Sequence, residues 1–422
     1  MKRTKLISFL MLSVLVIQAQ ELAHSYYYTD GYSIIPKMTL ERENDIVIPY
    51  SITKNEEKKA GILYLNKDNS IKDAVLFEGE NNYVINEVIE AANGNLLVSA
   101  EGYSEQGQES LYFLELNEGK IVNDFVFNED GNELDPFAIL EVGENILIGG
   151  FIKSRELVSN SFYNMYSETQ MIYVGEFTKN GSKIWSKAID VEGYEKGICN
   201  QMINTVGGIV LLCHANKIGE EMSPILISIN KKGDIKNIVK LDNNNKNTIG
   251  SVLRSYNGDI ELYGSFSRGN NYYFYKTIFS ESLDLKYFEE YQTPYRLTIN
   301  GITNTGDVFG AVLIDGRGYN NCILKPFDSK YSFYEFGSDK SDLVFGLNSS
   351  IYTYSIASSV DYTSVININS KINERVKLLY KSTSLLKINT DIKFVYQTKF
   401  EKSTINKGID RVKVVDVSDN LN

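Results

Sequence analysis

Hydrophobic and polar residues alternate in short runs along most of the chain, and tight-turn residues separate the runs. In one clear unit, strand-like runs cover Leu96 to Ala100, Ser110 to Leu116 and Lys120 to Phe127, with turns at Asn93-Gly94-Asn95 and Asn117-Glu118-Gly119. A period of two is typical of half-buried strands, and Asn and Gly supply the positive φ that hairpin turns need. The unit therefore predicts two β-hairpins in series.

The double hairpin recurs about every 50 residues, which is typical of a repeat protein. The first turns of the other units lie at Glu43-Asn44-Asp45, Gly143-Glu144-Asn145, Val206-Gly207-Gly208, Asn257-Gly258-Asp259, Thr305-Gly306-Asp307, Asn348-Ser349-Ser350 and Asn389-Thr390-Asp391. Two hairpins in series make one four-stranded antiparallel blade. The pattern predicts an all-β fold with a single β-propeller of about eight blades, or seven as the second choice.

The last predicted unit is one strand short. Its strands lie near Leu385 to Lys387, Ile392 to Thr398 and Arg411 to Val417, whereas Tyr26 to Ile35 is strand-like and belongs to no hairpin. Because a closed ring leaves no edge unpaired, we expect residues 20–36 to complete the last blade beside Arg411 to Val417. An open solenoid with a capping strand is the alternative.

The third unit carries a family resemblance. Its segments are Glu144 to Phe151, Ile172 to Phe177 and Gly181-Ser182-Lys183-Ile184-Trp185-Ser186-Lys187. This unit resembles the repeats of secreted bacterial propellers that end in a Gly-x-x-x-Trp-x-Lys strand. The other units follow the pattern, but they have segments such as Lys120 to Phe127 and Asp234 to Leu241 in place of the Trp strand. The resemblance implies a fold and no particular activity, because propellers host many functions.

The start of the chain is typical of a secretory leader. Three basic residues precede the apolar run Leu6 to Ile17, and Ala19 suits a cleavage site. That run is shorter than the roughly 20 residues that span a bilayer. We expect a signal peptide at 1–19 and an exported propeller at 20–422 without a transmembrane segment. The periplasm, the cell surface and the extracellular space remain alternatives, as do a monomer and an envelope complex.

Composition excludes several classes of function. The net charge of −11 opposes binding to nucleic acid, which needs a positive face. The only histidines are His24 and His214, which argues against a Ser-His-Asp triad and against a His-rich zinc site, and Trp185 is the only tryptophan. The acidic stretch Asn128 to Asp135 lacks the spacing of an EF-hand loop. We expect no cofactor and no metal.

Three cysteines remain to be placed. Cys199 and Cys213 flank a predicted hairpin and fall nearly opposite each other on its two strands, while Cys322 has no evident partner. Export would permit a disulfide between the first two. Two small buried hydrophobic residues in adjacent strands are the equal alternative.

One hairpin-joining loop is much longer than the others. In a propeller, the loops that join hairpins and blades share one face, and variation in loop length marks the working face. The loop Lys153 to Gln170 offers Arg155, Phe162, Tyr163 and Tyr166 as candidate binding residues, because aromatic rings and a guanidinium suit contact with a ligand. A tolerated surface insertion is the alternative.

Two successive units place Arg-Gly at the same point of the repeat. The pairs are Arg268-Gly269 and Arg317-Gly318, and Tyr319 follows the second. Two guanidinium groups on one face could bind an anionic ligand. The alternative is an arginine that covers apolar surface at a turn.

Two functions remain in competition. The first is a non-catalytic binding or scaffold propeller that engages a protein or glycan partner through its loop face. The alternative is a carbohydrate-active hydrolase or lyase that uses carboxylates in the central channel, since two suitably spaced acids suffice for glycosidic cleavage. No catalytic motif is evident in the sequence.

Overall fold

The computed structural model of the chain describes residues 24–27, 33–37, 39–54, 57–67, 71–78, 82–103, 109–127, 133–159, 164–217, 220, 222–242, 247–303, 305–314, 318–327, 330–336, 342–349, 354–360, 365–369, 375–381, 387–389, 394–397 and 413–416. Within these residues the backbone forms strands and turns and no helix. The predicted leader, residues 1–19, lies outside them.

The strands of the first half of the chain are β1 (His24–Tyr27), β2 (Ser33–Pro36), β3 (Leu40–Glu41), β4 (Ile46–Lys54), β5 (Glu57–Leu65), β6 (Ile71–Glu78), β7 (Asn82–Glu90), β8 (Leu96–Tyr103), β9 (Glu109–Asn117), β10 (Lys120–Phe127), β11 (Glu133–Val142), β12 (Asn145–Ser159), β13 (Asn164–Thr178), β14 (Lys183–Val191), β15 (Lys196–Thr205), β16 (Gly208–Asn216), β17 (Ser223–Ile229) and β18 (Ile235–Asp242). Those of the second half are β19 (Asn247–Tyr256), β20 (Asp259–Arg268), β21 (Asn271–Phe279), β22 (Leu285–Thr293), β23 (Arg296–Ile302), β24 (Val308–Ile314), β25 (Gly318–Phe327), β26 (Lys330–Phe336), β27 (Asp342–Ser349), β28 (Tyr354–Val360), β29 (Val365–Asn369), β30 (Arg375–Lys381), β31 (Lys387–Asn389), β32 (Phe394–Gln397) and β33 (Lys413–Asp416).

The described strands pair into seven antiparallel blades of a β-propeller. Blade 1 contains β2 to β6, with β2 and β3 as consecutive parts of its inner strand; blades 2 to 6 each take four strands in order from β7 to β26; and blade 7 contains β27, β28, β29 and β1. The inner strands β3, β7, β11, β15, β19, β23 and β27 contact one another in this order, and β27 contacts β3. The blades therefore form a closed ring, and the described strands fall into seven blades.

An N-terminal strand completes the ring, but its partner differs from the expected one. β1 pairs antiparallel with β29, with Ser25 opposite Ile368. The following segment, Ser33–Pro36, pairs with β4 and belongs to blade 1. The expected neighbour, Arg411 to Val417, contains β33, which pairs with β6. β27 to β29 supply only three strands of blade 7, so β1 pairs with β29 as its fourth strand.

The strands predicted as an eighth unit do not form a blade of their own, and neither they nor the preceding β30 complete blade 7. β30 pairs with the outer strands of blades 5 and 6, β31 with that of blade 4, β32 with that of blade 3 and β33 with that of blade 1. The C-terminal segment thus passes around the ring in the reverse of the blade order. These additions are antiparallel and cover outer edges that would otherwise offer unpaired backbone groups.

The core consists of the apolar layers between neighbouring blades. The layer between blades 3 and 4, for example, joins Val174 and Ile189 to Leu211 and Ile227, all at most 1 % exposed. Because both faces of a blade are covered, its middle strands are apolar without alternation, as in Gly208–Asn216. The repeat therefore packs blade on blade.

The Trp strand of blade 3 joins that blade to the next one. Trp185 lies over Gly233 in the second turn of blade 4, where an added Cβ would fall 2.5 Å from the indole ring. Its Nε1 donates to Glu176 Oε2 at 2.6 Å. Asn123 and Asn237 follow the turn glycine of their own blade at the same sequence spacing as Trp185 does. Each donates a hydrogen bond to a backbone carbonyl in the second turn of the following blade. The Trp position is thus a blade-joining position in each case.

Most inner strands contain a β-bulge. In blades 2 to 7, the register of the inner strand shifts by one residue and leaves one residue without a partner. These residues are Asn86, Phe137, Asn200, Ile249, Asn300 and Phe345. Bulges re-aim side chains and often lie beside functional sites. Three of the six are asparagines: Asn86, Asn200 and Asn300.

Candidate functional site

Strand order defines the two faces of the ring. The two tight turns of each blade lie on one face, here named the turn face, and the connections between hairpins and between blades lie on the other, named the loop face. This follows because consecutive strands within a blade are antiparallel. Among the described residues, the longest projection on the loop face belongs to blade 3.

The predicted long loop of blade 3 is an extended β-hairpin. β12 and β13 have 15 residues each, and they remain paired from Lys153 opposite Gln170 to Ser159 opposite Asn164. The hairpin from Lys153 to Gln170 is named the arm. Six residue pairs beyond Lys153 extend it by about 20 Å at the usual rise per residue.

Among the described residues, the arm continues beyond the strands that flank it. The pairing of β11 with β12 stops at Glu133 opposite Lys153, and the pairing of β14 with β13 stops at Ile189 opposite Ile172. Among the strands that the structure describes, the outer edges of 154–159 and 164–169 pair with no other strand. The arm therefore offers two open strand edges.

The foot of the arm is fixed to blade 4. Gln170 pairs in parallel with Lys196 at the start of β15, and a cleft opens beside them with Asp190 and Tyr194 in its lining. Its volume is about 10 Å³, about the room that one water molecule needs and far below that of a ligand pocket. The arm, and not this cleft, is the candidate binding surface.

Tyr194 is held by two lysines at this foot. Lys240 Nζ lies 4.5 Å from the ring centroid and Lys217 Nζ 6.0 Å, both at cation–π distance. The Tyr194 hydroxyl is buried without a hydrogen-bond partner among the described residues. The ring thus packs as part of the connection between blades 3 and 4.

The predicted residues of the long loop fall on the arm or beyond the described residues. Arg155 lies on β12 opposite Glu168, and Tyr166 lies on β13 opposite Leu157. Phe162 and Tyr163 belong to 160–163, outside the described residues. The predicted Arg155 and Tyr166 are therefore brought into one hairpin.

Arg268 is placed on the loop face but is already engaged. Its Nη2 atom lies 3.1 Å from Glu290 Oε2, and the Glu290 side chain is fully buried. The guanidinium also stands 4.8 Å from the Tyr273 ring centroid. Arg317 lies outside the described residues, and Tyr319 lies near the start of β25. The Arg268 guanidinium therefore serves the fold, because it neutralises a buried carboxylate.

Cys199 and Cys213 are directly opposite each other. They lie on β15 and β16, both are 0 % exposed, and both are free thiols, as is the buried Cys322. The Cys199 thiol donates to Gln201 O at 3.8 Å, and burial raises the pKa of Cys213 well above its usual value.

Polar residues beside the inner bulges were missed by the sequence analysis. Glu87 follows the bulge of blade 2, and its carboxyl accepts a hydrogen bond from Ile139 N of blade 3 at 2.5 Å. Burial raises the pKa of Glu87 to about 8. Asn86 donates to Glu101 at 2.7 Å. No motif marks these acids, and only the bulge brings them to the blade junction.

Metal and membrane features were also sought in the described residues. Within that part of the chain, no group of three or more His, Cys, Asp or Glu side chains could hold a metal ion. The same residues contain no helix of the length and apolarity that a membrane span requires.

Known proteins provide similarity of structure alone. No family model and no curated protein matches the chain. Among solved structures, the extracellular domains 1–2 of Drosophila semaphorin 1a align with a TM-score of 0.43 and 9 % identity, over 82 % of this chain and 88 % of that chain. Porphyromonas gingivalis dipeptidyl peptidase 4 aligns with a TM-score of 0.37 and 9 % identity, over 81 % and 60 %. A subtype N11 neuraminidase-like protein of A/flat-faced bat/Peru aligns with a TM-score of 0.34 and 9 % identity, over 82 % and 95 %.

Proposed function

We propose that this protein is an exported, non-catalytic binding propeller that engages a protein partner through the arm of blade 3. The observation that carries the proposal is the continued pairing of β12 with β13 beyond the strands that flank them. The leader-like start of the chain supports export.

The open edges of the arm favour a protein over a glycan. Each edge carries backbone N–H and C=O groups that an extended peptide segment can pair with, and such strand addition gives affinity through main-chain hydrogen bonds. The charged residues Arg155, Glu156 and Glu168 carry both signs and suit a partner segment of mixed charge. The partner in this proposal is a different chain that contributes an extended segment.

Removal of the arm tests this function. Lys153 and Gln170 are directly opposite, so residues 154–169 can be replaced by Asn-Gly, which closes a two-residue hairpin turn. Wild-type and arm-deleted proteins are used to capture partners from envelope extracts, and each captured protein is then purified and its Kd measured. We expect at least a hundredfold loss of affinity without the arm.

A matched control lies on the same face. Residues 104–108, which connect β8 to β9 in blade 2, are replaced by a Gly/Ser segment of equal length, and this variant should bind as the wild type does. Equal affinity of the arm-deleted protein would contradict the proposal. If the protein bound a glycan array and the arm-deleted protein did not, the partner of the arm would be a glycan and not a protein.

A further inference from the structure

The two opposed cysteines of blade 4 have a geometry that suits a covalent bond. Opposite residues of an antiparallel pair have Cα atoms about 4.5 to 5.5 Å apart, within the range of about 4.4 to 6.8 Å found in disulfides. Cys199 and Cys213 occupy such a pair. Their register is therefore compatible with a disulfide.

In the folded ring the same pair is sealed. An added Cβ at Gly149 of blade 3 would lie 2.8 Å from Cys199 Sγ, and both cysteines are fully buried in the layer between blades 3 and 4. The raised pKa of Cys213 keeps the reactive thiolate scarce. Exchange with a dissolved thiol or disulfide requires access and a thiolate, and the folded protein offers neither.

We propose that Cys199 and Cys213 are oxidised to a disulfide while blade 4 folds, and that the docking of blade 3 then seals the bond. The oxidant is a small disulfide. The thiolate of one cysteine attacks it and releases one thiol, and the thiolate of the other cysteine attacks the mixed disulfide and releases the second. The protein loses two electrons and two protons, and the oxidant gains them as two thiols.

The test compares refolding with treatment of the folded protein. The full chain is unfolded with reductant and refolded either in mixed oxidised and reduced glutathione or in reductant alone. Free thiols are then alkylated in denaturant and counted by mass spectrometry. We expect one alkylated cysteine, Cys322, after the oxidising refolding and three after the reducing one, with the disulfide mapped to the peptides of Cys199 and Cys213.

Sealing predicts that each product persists once folded. The reduced, folded protein should keep three thiols in oxidised glutathione, and the oxidised, folded protein should keep one in reductant. The disulfide closes a short loop and should raise Tm by about 3 °C, whereas a Cys213→Ser variant should show no such rise. Three thiols after oxidising refolding, or a bond to Cys322, would overturn the disulfide. Rapid oxidation of the folded, reduced protein would overturn the sealing.

Discussion

The junction between blades 2 and 3 and the junction between blades 4 and 5 each hold a partly buried polar side chain at the same position. In both, the residue after the inner bulge reaches the backbone of the next inner strand. Glu87 accepts a hydrogen bond from Ile139 N. Gln201 accepts from Leu253 N at 2.8 Å and donates to Leu253 O at 2.7 Å. The amide satisfies a donor and an acceptor, whereas an ionised carboxylate satisfies donors only.

The difference shows how one position can make a junction dependent on pH. Burial raises the pKa of Glu87 to about 8, because the charged form is poorly solvated between blades. An unfolded glutamate ionises near pH 4.5. The folded state therefore binds more protons than the unfolded state between these values, and its stability falls as pH rises from about 4.5 to 8. Gln201 contributes no such dependence.

Conversion of the amide into an acid should have the largest effect. In a Gln201→Glu variant the new carboxylate would face Leu253 O, so the folded state should need the protonated form. We expect a loss of about 4 kcal/mol in the free energy of unfolding at pH 8.5 and a loss below about 1 kcal/mol at pH 4.5. Urea denaturation at both pH values measures this change.

An exposed glutamine provides the control for that variant. Gln292 lies on β22 and is exposed, so Gln292→Glu should change stability by less than about 0.5 kcal/mol at either pH. A loss for Gln201→Glu that is the same at both pH values would show that packing, and not charge, sets the cost.

The reverse change at blade 2 should stabilise the protein. A Glu87→Gln variant removes the ionisation that opposes folding, so we expect a gain of about 3 kcal/mol at pH 8.5 and little change at pH 4.5. The exposed Glu43→Gln variant is the control. If the free energy of unfolding changed equally in the wild type and the Glu87→Gln variant from pH 4.5 to 8.5, the raised pKa of Glu87 would be contradicted.

The bulge residues themselves extend the comparison, with a smaller effect. Asn86 contacts the acid Glu101 at 2.7 Å, whereas Asn200 contacts His214 Nδ1 at 2.6 Å. Burial lowers the pKa of His214 to about 4. The folded state then binds fewer protons than the unfolded state below pH 6.5, and stability falls as pH decreases from about 6.5 to 4.

A His214→Gln variant should remove this acid sensitivity. At pH 4.5 we expect it to be about 2 kcal/mol less destabilised, relative to pH 7.5, than the wild type. Thermal or urea denaturation at the two values gives the difference. Equal losses in the wild type and the variant would place the acid sensitivity elsewhere.

The repeat could be predicted because its turns have a local signature. Gly94, Gly119, Gly181 and Gly233 all have a positive φ, as the turn sequences require. The bulges could not be predicted, because one extra residue only shifts the alternation within a strand. Local sequence also could not predict which strands pair. The segments from 385 onward alternate as strands do, yet they pair with the outer edges of other blades.

The candidate site could be predicted only in its location. Unequal loop length marked blade 3, but the continued pairing of Arg155 with Glu168 depends on register that a polar sequence does not reveal. Likewise, the sequence predicted a guanidinium available for a ligand at Arg268. The ion pair with Glu290, which lies two strands later in the chain, could not be predicted from local sequence.

The account depends most on the closed ring, because closure places the arm and the other loops on one face. The direct measurement is disulfide formation between Ser25→Cys and Ile368→Cys, which are opposite residues of β1 and β29. The control combines Ser25→Cys with Val415→Cys, on the β33 strand that pairs with β6. We expect a crosslink at 25 and 368 and none at 25 and 415, read by peptide mass mapping. A crosslink at 25 and 415 without one at 25 and 368 would contradict closure of the ring through β1 and β29 and would favour closure beside Arg411 to Val417.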